Sequence, residues 1–120
     1  MVRVESAYRA GIAEAERDIA SGQPKLRHGA RGVWGEDLAR TLQARFGVEL
    51  VVLSCFTDAA SRSFEAGYNA TVEAHVDGVH GSGSVAAVWD EIQRRRKATY
   101  DVWAAEQRHS EPGDAPEPAA

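Results

Sequence analysis

The chain has few of the features that mark secreted, disulfide-stabilised or membrane-spanning proteins. It has a single cysteine, Cys55, in 120 residues, so no internal disulfide can form, whereas small secreted domains more often carry several. None of its apolar runs approaches the length that crosses a bilayer. Glu5 and Arg9 come before any apolar stretch that a signal peptide would need. We therefore expect a cytoplasmic protein with a reduced thiol.

The chain also lacks a strong charge of one sign outside its C-terminal end. The formal net charge is −4, but three of the negative charges belong to Glu111, Asp114 and Glu117. The rest is nearly neutral, which predicts neither nucleic acid nor an anionic membrane as a partner. The cations at 94–97 are the exception. Four consecutive cations wrap around a helix, so we expect ion pairs with acidic residues one turn earlier; a phosphate-binding strip is the alternative.

The length and composition predict one globular domain and a short tail. A chain of 120 residues has room for one domain, which we place at residues 1–110. Residues 111–120 contain three of the four prolines and no apolar period. We expect this tail to be disordered, because it has nothing to bury.

Apolar spacing predicts four helices and two strands. The helices are expected over residues 3–20 and 35–45, from a cap at Thr57 or Asp58 to residue 79, and from a cap at Ser84 to residue 108. A weak strand is expected within 25–33 and a clear one over 48–56. The second strand is apolar on both faces, which favours an interior strand covered on both sides. The predicted fold class is α/β with a small parallel sheet; a helix-rich α+β fold is the alternative.

Two strands are too few to form a stable sheet alone. Either the pattern hides further strands, or a second copy of the chain completes the sheet. The three tryptophans and three tyrosines of so short a chain also favour a self-association surface. We therefore expect a homodimer.

Cys55 is the first candidate for chemistry, because it precedes the predicted start of the third helix. The positive end of a helix dipole lowers a thiol pKa, which would suit a nucleophile with a histidine base. A buried, unreactive cysteine is the simpler interpretation, since no CxxC or nucleophile-elbow motif surrounds it.

Glu73, Asp77 and His80 are spaced four and three residues apart, so a continuous helix places them on one face, with Asn69 one turn earlier. Two carboxylates and an imidazole could hold manganese, iron or zinc. A solvated acidic face is the simpler interpretation, and no HExxH or ExxH motif supports a metal site. We predict no cofactor.

Gly67, Tyr68 and Asn69 form an unusual triplet within a predicted helix. Glycine costs about 1 kcal/mol relative to alanine in a helix, so we favour a close helix crossing at Gly67. The alternative is that Tyr68 and Asn69 offer a hydroxyl and an amide to a ligand. His75 lies on the apolar stripe of the same helix, which favours burial in the core or an interface.

Ser82 and Ser84 lie in the glycine-rich segment between the last two helices. The start of the last helix could bind an anion, but the segment lacks the lysine of a P-loop and the GxGxxG spacing. An ordinary interhelical turn explains it as well.

These observations favour a small binding or interaction module whose ligand is unknown. Ligands of open α/β sheets bind beyond the carboxyl ends of the strands, so we place the site near Cys55, the start of the third helix and the His80–Ser84 hinge. A small molecule or a protein would be the partner. The alternative is a small enzyme that uses Cys55, or a metal held by Glu73, Asp77 and His80.

Overall fold

A computed structural model describes residues 3–29, 32–53 and 58–110. The described chain contains four helices and two strands, in the order that the sequence predicts. Their bounds are α1 Val4–Ala20, β1 Lys25–His28, α2 Gly32–Phe46, β2 Glu49–Val52, α3 Ala59–His80 and α4 Ser84–Ser110. Asp58 caps α3, because its carboxylate accepts the Ser61 backbone N–H at 2.7 Å. The fold is helix-rich α/β. Cys55 and the tail at 111–120 lie outside the described residues.

Helices α1 and α3 pack against each other at very short range. A methyl group at Gly67 would lie 2.2 Å from the backbone oxygen of Tyr8, and one at Gly11 would lie 2.1 Å from that of Phe64. Only residues without a side chain allow the two backbones to approach so closely. The helix-crossing interpretation of Gly67 is therefore confirmed.

The two strands are parallel, with Lys25 opposite Glu49 and His28 opposite Val52. Helix α2 connects them, as parallel strands require a crossover. The expectation that the second strand is interior and covered on both sides is wrong for the single chain. The described residues form a sheet of two strands only, and Val52 is 50% exposed.

The main core lies where the sheet, α2, α3 and α4 meet. Its buried side chains are largely branched aliphatic ones together with one tyrosine: Ala15, Leu26, Leu38, Leu42, Val48, Tyr68, Val72, Val76, Val85, Val88 and Ile92. Helix α3 contributes through Tyr68, Val72 and Val76, which are spaced in steps of four. His75 and Val79 lie off this stripe and are exposed, so the expected burial of His75 in the core is wrong.

Among residues 3–29, 32–53 and 58–110, no helix has the length and apolar character needed to span a membrane. Helix α4 is long enough but too polar.

Candidate functional site

Tyr68, one of the predicted ligand-binding residues, is a core residue. Its side chain is fully buried, and its hydroxyl donates a hydrogen bond to Oδ2 of Asp18 at 2.6 Å. Burial, followed by the hydrogen bond to Asp18, raises the pKa of Tyr68 far above its usual range. The hydroxyl thus links α1 and α3, and its proton is used in the hydrogen bond to Asp18.

Asn69 binds the edge of the sheet. Its amide oxygen accepts the Arg27 backbone N–H at 2.9 Å, and its amide nitrogen donates to the Arg27 carbonyl at 2.8 Å. The side-chain amide therefore takes the place that the peptide of a third strand would occupy. Asn69 therefore stabilises β1, and both polar atoms of its side chain take part in this pairing.

The Arg27 side chain is held among residues of α3. Its guanidinium lies 4.5 Å from the Tyr68 ring centroid and 5.3 Å from that of Phe64, and its Nε is 3.4 Å from a carboxylate oxygen of Glu65. Burial raises the pKa of Glu65, and the Arg27 charge opposes that rise. The charges of this cluster compensate one another within the protein.

Hydrogen bonds between residues of the hinge and the adjoining helix ends hold α3 and α4 together. Asp77 Oδ1 accepts the Val85 backbone N–H at 3.2 Å, and the Ser84 hydroxyl donates to the Gly81 carbonyl at 2.6 Å. The predicted cap at Ser84 is therefore wrong: Asp77 supplies the side-chain cap of α4, because the turn brings the end of α3 to the start of α4. Ser82 is exposed in that turn.

The hinge and the carboxyl ends of the strands lie at opposite ends of the sheet. The His80 ring packs against Phe46, at 4.9 Å between centroids, just before the amino end of β2. Cys55 follows the carboxyl end of β2 in sequence. The hinge therefore lies away from the carboxyl ends of the strands, where the ligand site was expected.

The predicted metal ligands form no metal centre of three side chains. In the described part of the chain, no group of three His, Cys, Asp or Glu side chains could hold a metal ion. Burial, and to a smaller extent the Asp77 charge, raises the pKa of Glu73. The His80 ring packs against Phe46. A thiol reaction at Cys55 stays a hypothesis, since this residue lies outside the described ranges.

A groove of about 370 Å³ lies between α2 and α4, and the sequence patterns did not predict it. It is bordered by Trp34, Asp37 and Arg40 of α2 and by Ile92, Arg95, Arg96 and Thr99 of α4. Trp34 and Ile92 supply its apolar surface.

Aromatic rings support the Trp34 side of this α2–α4 groove. Trp34 lies 5.8 Å from the Trp89 ring and 6.1 Å from the His28 ring. His28 ends β1, so the cluster joins the carboxyl end of that strand to both helices. Burial lowers the pKa of His28, which favours a neutral ring among the indoles.

The three arginines of the groove differ in their partners. Arg95 forms ion pairs with Asp37 at 3.1 Å and with Glu91 at 2.5 Å. Arg96 lies over the Trp34 ring at 5.8 Å. Within the part of the chain that the structure describes, neither Arg96 nor Arg40 forms an ion pair. The groove therefore has an excess of positive charge beside an aromatic ring.

The expected ion pair with an acidic residue one turn earlier is confirmed for one member of the basic cluster. Arg95 pairs with Glu91, one turn earlier, whereas Lys97 pairs at 2.7 Å with Asp101, one turn later, which was not predicted. Arg96 instead faces the groove. This division follows from helix geometry, because neighbouring residues on a helix point about 100° apart.

Trp34, which borders the groove, has a buried donor without an acceptor. The indole Nε1 of Trp34 is buried, and the described residues offer it no hydrogen-bond partner. Buried donors are almost always satisfied, so an unpaired one in a residue that lines the groove makes Trp34 a candidate contact for a ligand.

The distal half of α4 extends the groove surface. Trp103 follows Thr99 by one turn on the same helix face and is 53% exposed, and Tyr100 beside it is 60% exposed. Their rings contact each other at 5.7 Å between centroids. The apolar surface thus continues beyond the groove along the helix.

A sequence signal for this groove existed. Ile92, Arg96, Thr99 and Trp103 share one face of α4, where an arginine interrupts an otherwise uncharged stripe. Trp34 starts the stripe of α2. Comparison of the chain with protein-family models, with curated proteins and with solved structures found no match.

Proposed function

We propose that this protein is a binding module, and that its α2–α4 groove binds an acidic segment of a protein partner. The observation that carries the proposal is the meeting of Trp34, which has a buried donor without an acceptor, with Arg40 and Arg96, which lack carboxylate partners among the described residues. A carboxylate bound in the groove gives the two cations the anionic partner that they lack.

The groove also has the size and surface for an apolar side chain next to the acidic group. Its volume of about 370 Å³ lies in the range of ligand sites. Trp34 and Ile92 would contact the apolar part, while the arginines at the rim would bind carboxylates. The recognised chemistry is an aromatic or leucine side chain flanked by glutamates or aspartates.

A protein segment is favoured over a small molecule because the surface continues past the groove. Residues 96 and 103 are about 10 Å apart along the helix, at 1.5 Å per residue. Exposed aromatic side chains next to a groove are typical of protein-binding surfaces. An extended or helical segment would contact Tyr100 and Trp103 after filling the groove.

The Trp34 indole N–H resonance gives a direct test. We would titrate ¹⁵N-labelled protein with short peptides in which glutamates flank a phenylalanine, and with matched peptides in which lysines replace the glutamates. The Trp34→Phe variant assigns the resonance. We expect the acidic peptides to shift the Trp34 signal in a saturable manner and the lysine peptides to leave it unchanged. Free phenylacetate serves as the small-molecule arm.

Charge variants locate the site. Removal of both Arg40 and Arg96 by alanine should weaken acidic-peptide binding at least tenfold, since each charge-assisted bond is worth about 1.5–3 kcal/mol. Arg94→Ala removes the same charge from α4 outside the groove. Because salt screens the effect of a distant surface charge, this variant should change the affinity by no more than about twofold. Equal losses in both variants, or saturation by phenylacetate alone, would contradict a site for an acidic protein segment.

A further inference from the structure

The two edges of the sheet are in different states. The outer edge of β1 is closed, because the Asn69 amide binds both the N–H and the carbonyl of Arg27. No further strand can pair there without displacing Asn69. Any additional strand must therefore pair with the outer edge of β2.

The hydrogen-bond parity shows which groups of β2 face outward. Glu49 N–H donates to the Pro24 carbonyl, and Leu53 N–H donates to the His28 carbonyl. Residues 49, 51 and 53 therefore face β1, and the backbone groups of Leu50 and Val52 point away from it. Among the described residues, these outward groups have no hydrogen-bond partner.

We propose that β2 pairs antiparallel with β2 of a second copy of this chain, about a two-fold axis at Val51. Two outward-facing residues two positions apart are self-complementary in this arrangement. Leu50 exchanges both backbone hydrogen bonds with Val52 of the partner subunit, and Val52 does so with the partner's Leu50. Four hydrogen bonds form, and each outward N–H and carbonyl of the pair is satisfied.

The side chains of β2 suit this register. Leu50 packs on the core and would lie beside the partner's Val52, while Val51 would meet the partner's Val51. Val52, which is 50% exposed in the single chain, would gain an apolar neighbour. Glu49 would face Leu53 of the partner subunit, so no like charges are opposed.

The proposed strand pairing can join only two chains. Pairing gives a four-stranded sheet in the order β1–β2–β2–β1, and an Asn69 amide closes each end. Sheets of three or more strands reach independent stability, whereas a pair of strands does not. An open edge risks continued association, and Asn69 prevents this at the outer strands. The predicted species is a dimer and not a fibre. This inference is independent of the α2–α4 groove.

The first measurement is the mass in solution with a matched pair of variants. Light scattering at about 50 μM should give twice the chain mass of 13.0 kDa for the wild type. Val52→Lys places a charge at the proposed interface, where edge lysines block pairing, and should give the monomer. Val79→Lys makes the same change at an exposed helix position and should stay dimeric. A wild-type monomer, or a Val52→Lys dimer, would overturn the proposal.

Hydrogen exchange tests the register without any variant. The amides of Leu50 and Val52 should be protected from exchange at high protein concentration and become at least tenfold less protected on dilution below the dimer's Kd. The Glu49 and Val51 amides, which face β1, should respond less. Fast exchange at Leu50 and Val52 in a sample that is dimeric by mass would place the interface elsewhere and refute strand pairing.

Discussion

Helices α1 and α3 make a closed contact, while α2 and α4 leave a groove, and the difference lies in side-chain length. At the α1–α3 contact, Gly11 and Gly67 let the backbones touch, and the Ser63 hydroxyl reaches the Val4 carbonyl at 2.6 Å. At the α2–α4 contact, arginine–carboxylate pairs such as Arg45 with Glu91 link the helices through long side chains, and a groove lies between the helices.

The α1–α3 contact is a structural interface, whereas the α2–α4 groove is a candidate binding surface. The α1–α3 contact uses the polar atoms of Tyr68 and Ser63 internally. The α2–α4 groove leaves the Trp34 donor and the Arg40 charge without partners among the residues described. Polar groups without partners beside an apolar surface are what a ligand recognises.

The largest expected effect comes from forcing the α1–α3 contact apart. Gly67→Ala places a methyl group 2.2 Å from the Tyr8 backbone oxygen, which cannot move without shifting α1. Overpacking costs about 1–3 kcal/mol and more where backbone must shift, so we expect a loss of at least about 3 kcal/mol in the free energy of unfolding. Urea denaturation measures it.

Gly78→Ala is the matched control, since it makes the same change on the same helix in open space. It should stabilise the protein by up to about 1 kcal/mol through helix propensity. If both variants lost stability equally, the close approach of α1 and α3 would not be the cause.

A smaller loss is expected from removing one polar link of the α1–α3 contact. Tyr68→Phe deletes the hydroxyl that donates to Asp18 at 2.6 Å and leaves that carboxylate without its hydrogen bond. We expect a cost of about 1–3 kcal/mol in thermal or urea unfolding. Tyr100→Phe, at an exposed position on α4, should be neutral. A neutral Tyr68→Phe would mean that water replaces the bond.

The sequence predicted the closed contact far better than the groove. Glycine within an amphipathic helix has a local cost, so Gly67 by itself indicated a helix crossing. The bounds of the four helices were likewise predicted to within three residues, because helical periodicity is a local feature of the sequence. Helix α2 begins at Gly32 rather than Gly35, and a glycine start gives a weak signal.

The groove depends on contacts that no local pattern records. Trp34 and Ile92 are far apart in the chain and meet only because the β1–α2–β2 unit and α4 pack together. Asn69 is a similar case: its pairing with Arg27 depends on where α3 runs relative to β1. Asn69 was predicted to bind a ligand because its side chain is polar. That side chain instead forms hydrogen bonds with Arg27 at the edge of the sheet.

Loosening the α2–α4 contact should cost little stability. Arg95→Ala removes the ion pairs with Asp37 and Glu91, and we expect a loss of about 0.5 kcal/mol, because surface pairs are screened and entropically costly. The loss should shrink further in 1 M salt. Arg94→Ala, without these pairs, should be neutral. A loss above about 2 kcal/mol would show that the groove is held as tightly as the α1–α3 contact.

The smallest effect concerns Glu73 on α3, the helix that contacts both α1 and α4. Burial, then the Asp77 charge, raises the pKa of Glu73, so the folded protein binds a proton more readily than the unfolded chain does. This contribution to stability is present at low pH and is lost as pH rises through the folded pKa.

Glu73→Gln removes that pH-dependent contribution, because glutamine resembles the protonated acid and does not ionise. At pH 7 the variant should therefore unfold at a slightly higher temperature than the wild type. The difference should narrow as pH falls toward the unfolded value near about 4.3. Thermal unfolding of both proteins between pH 7 and pH 4 measures it, and other carboxylates cancel in the comparison. A variant less stable than wild type at pH 7 would show that the Glu73 charge has a stabilising partner.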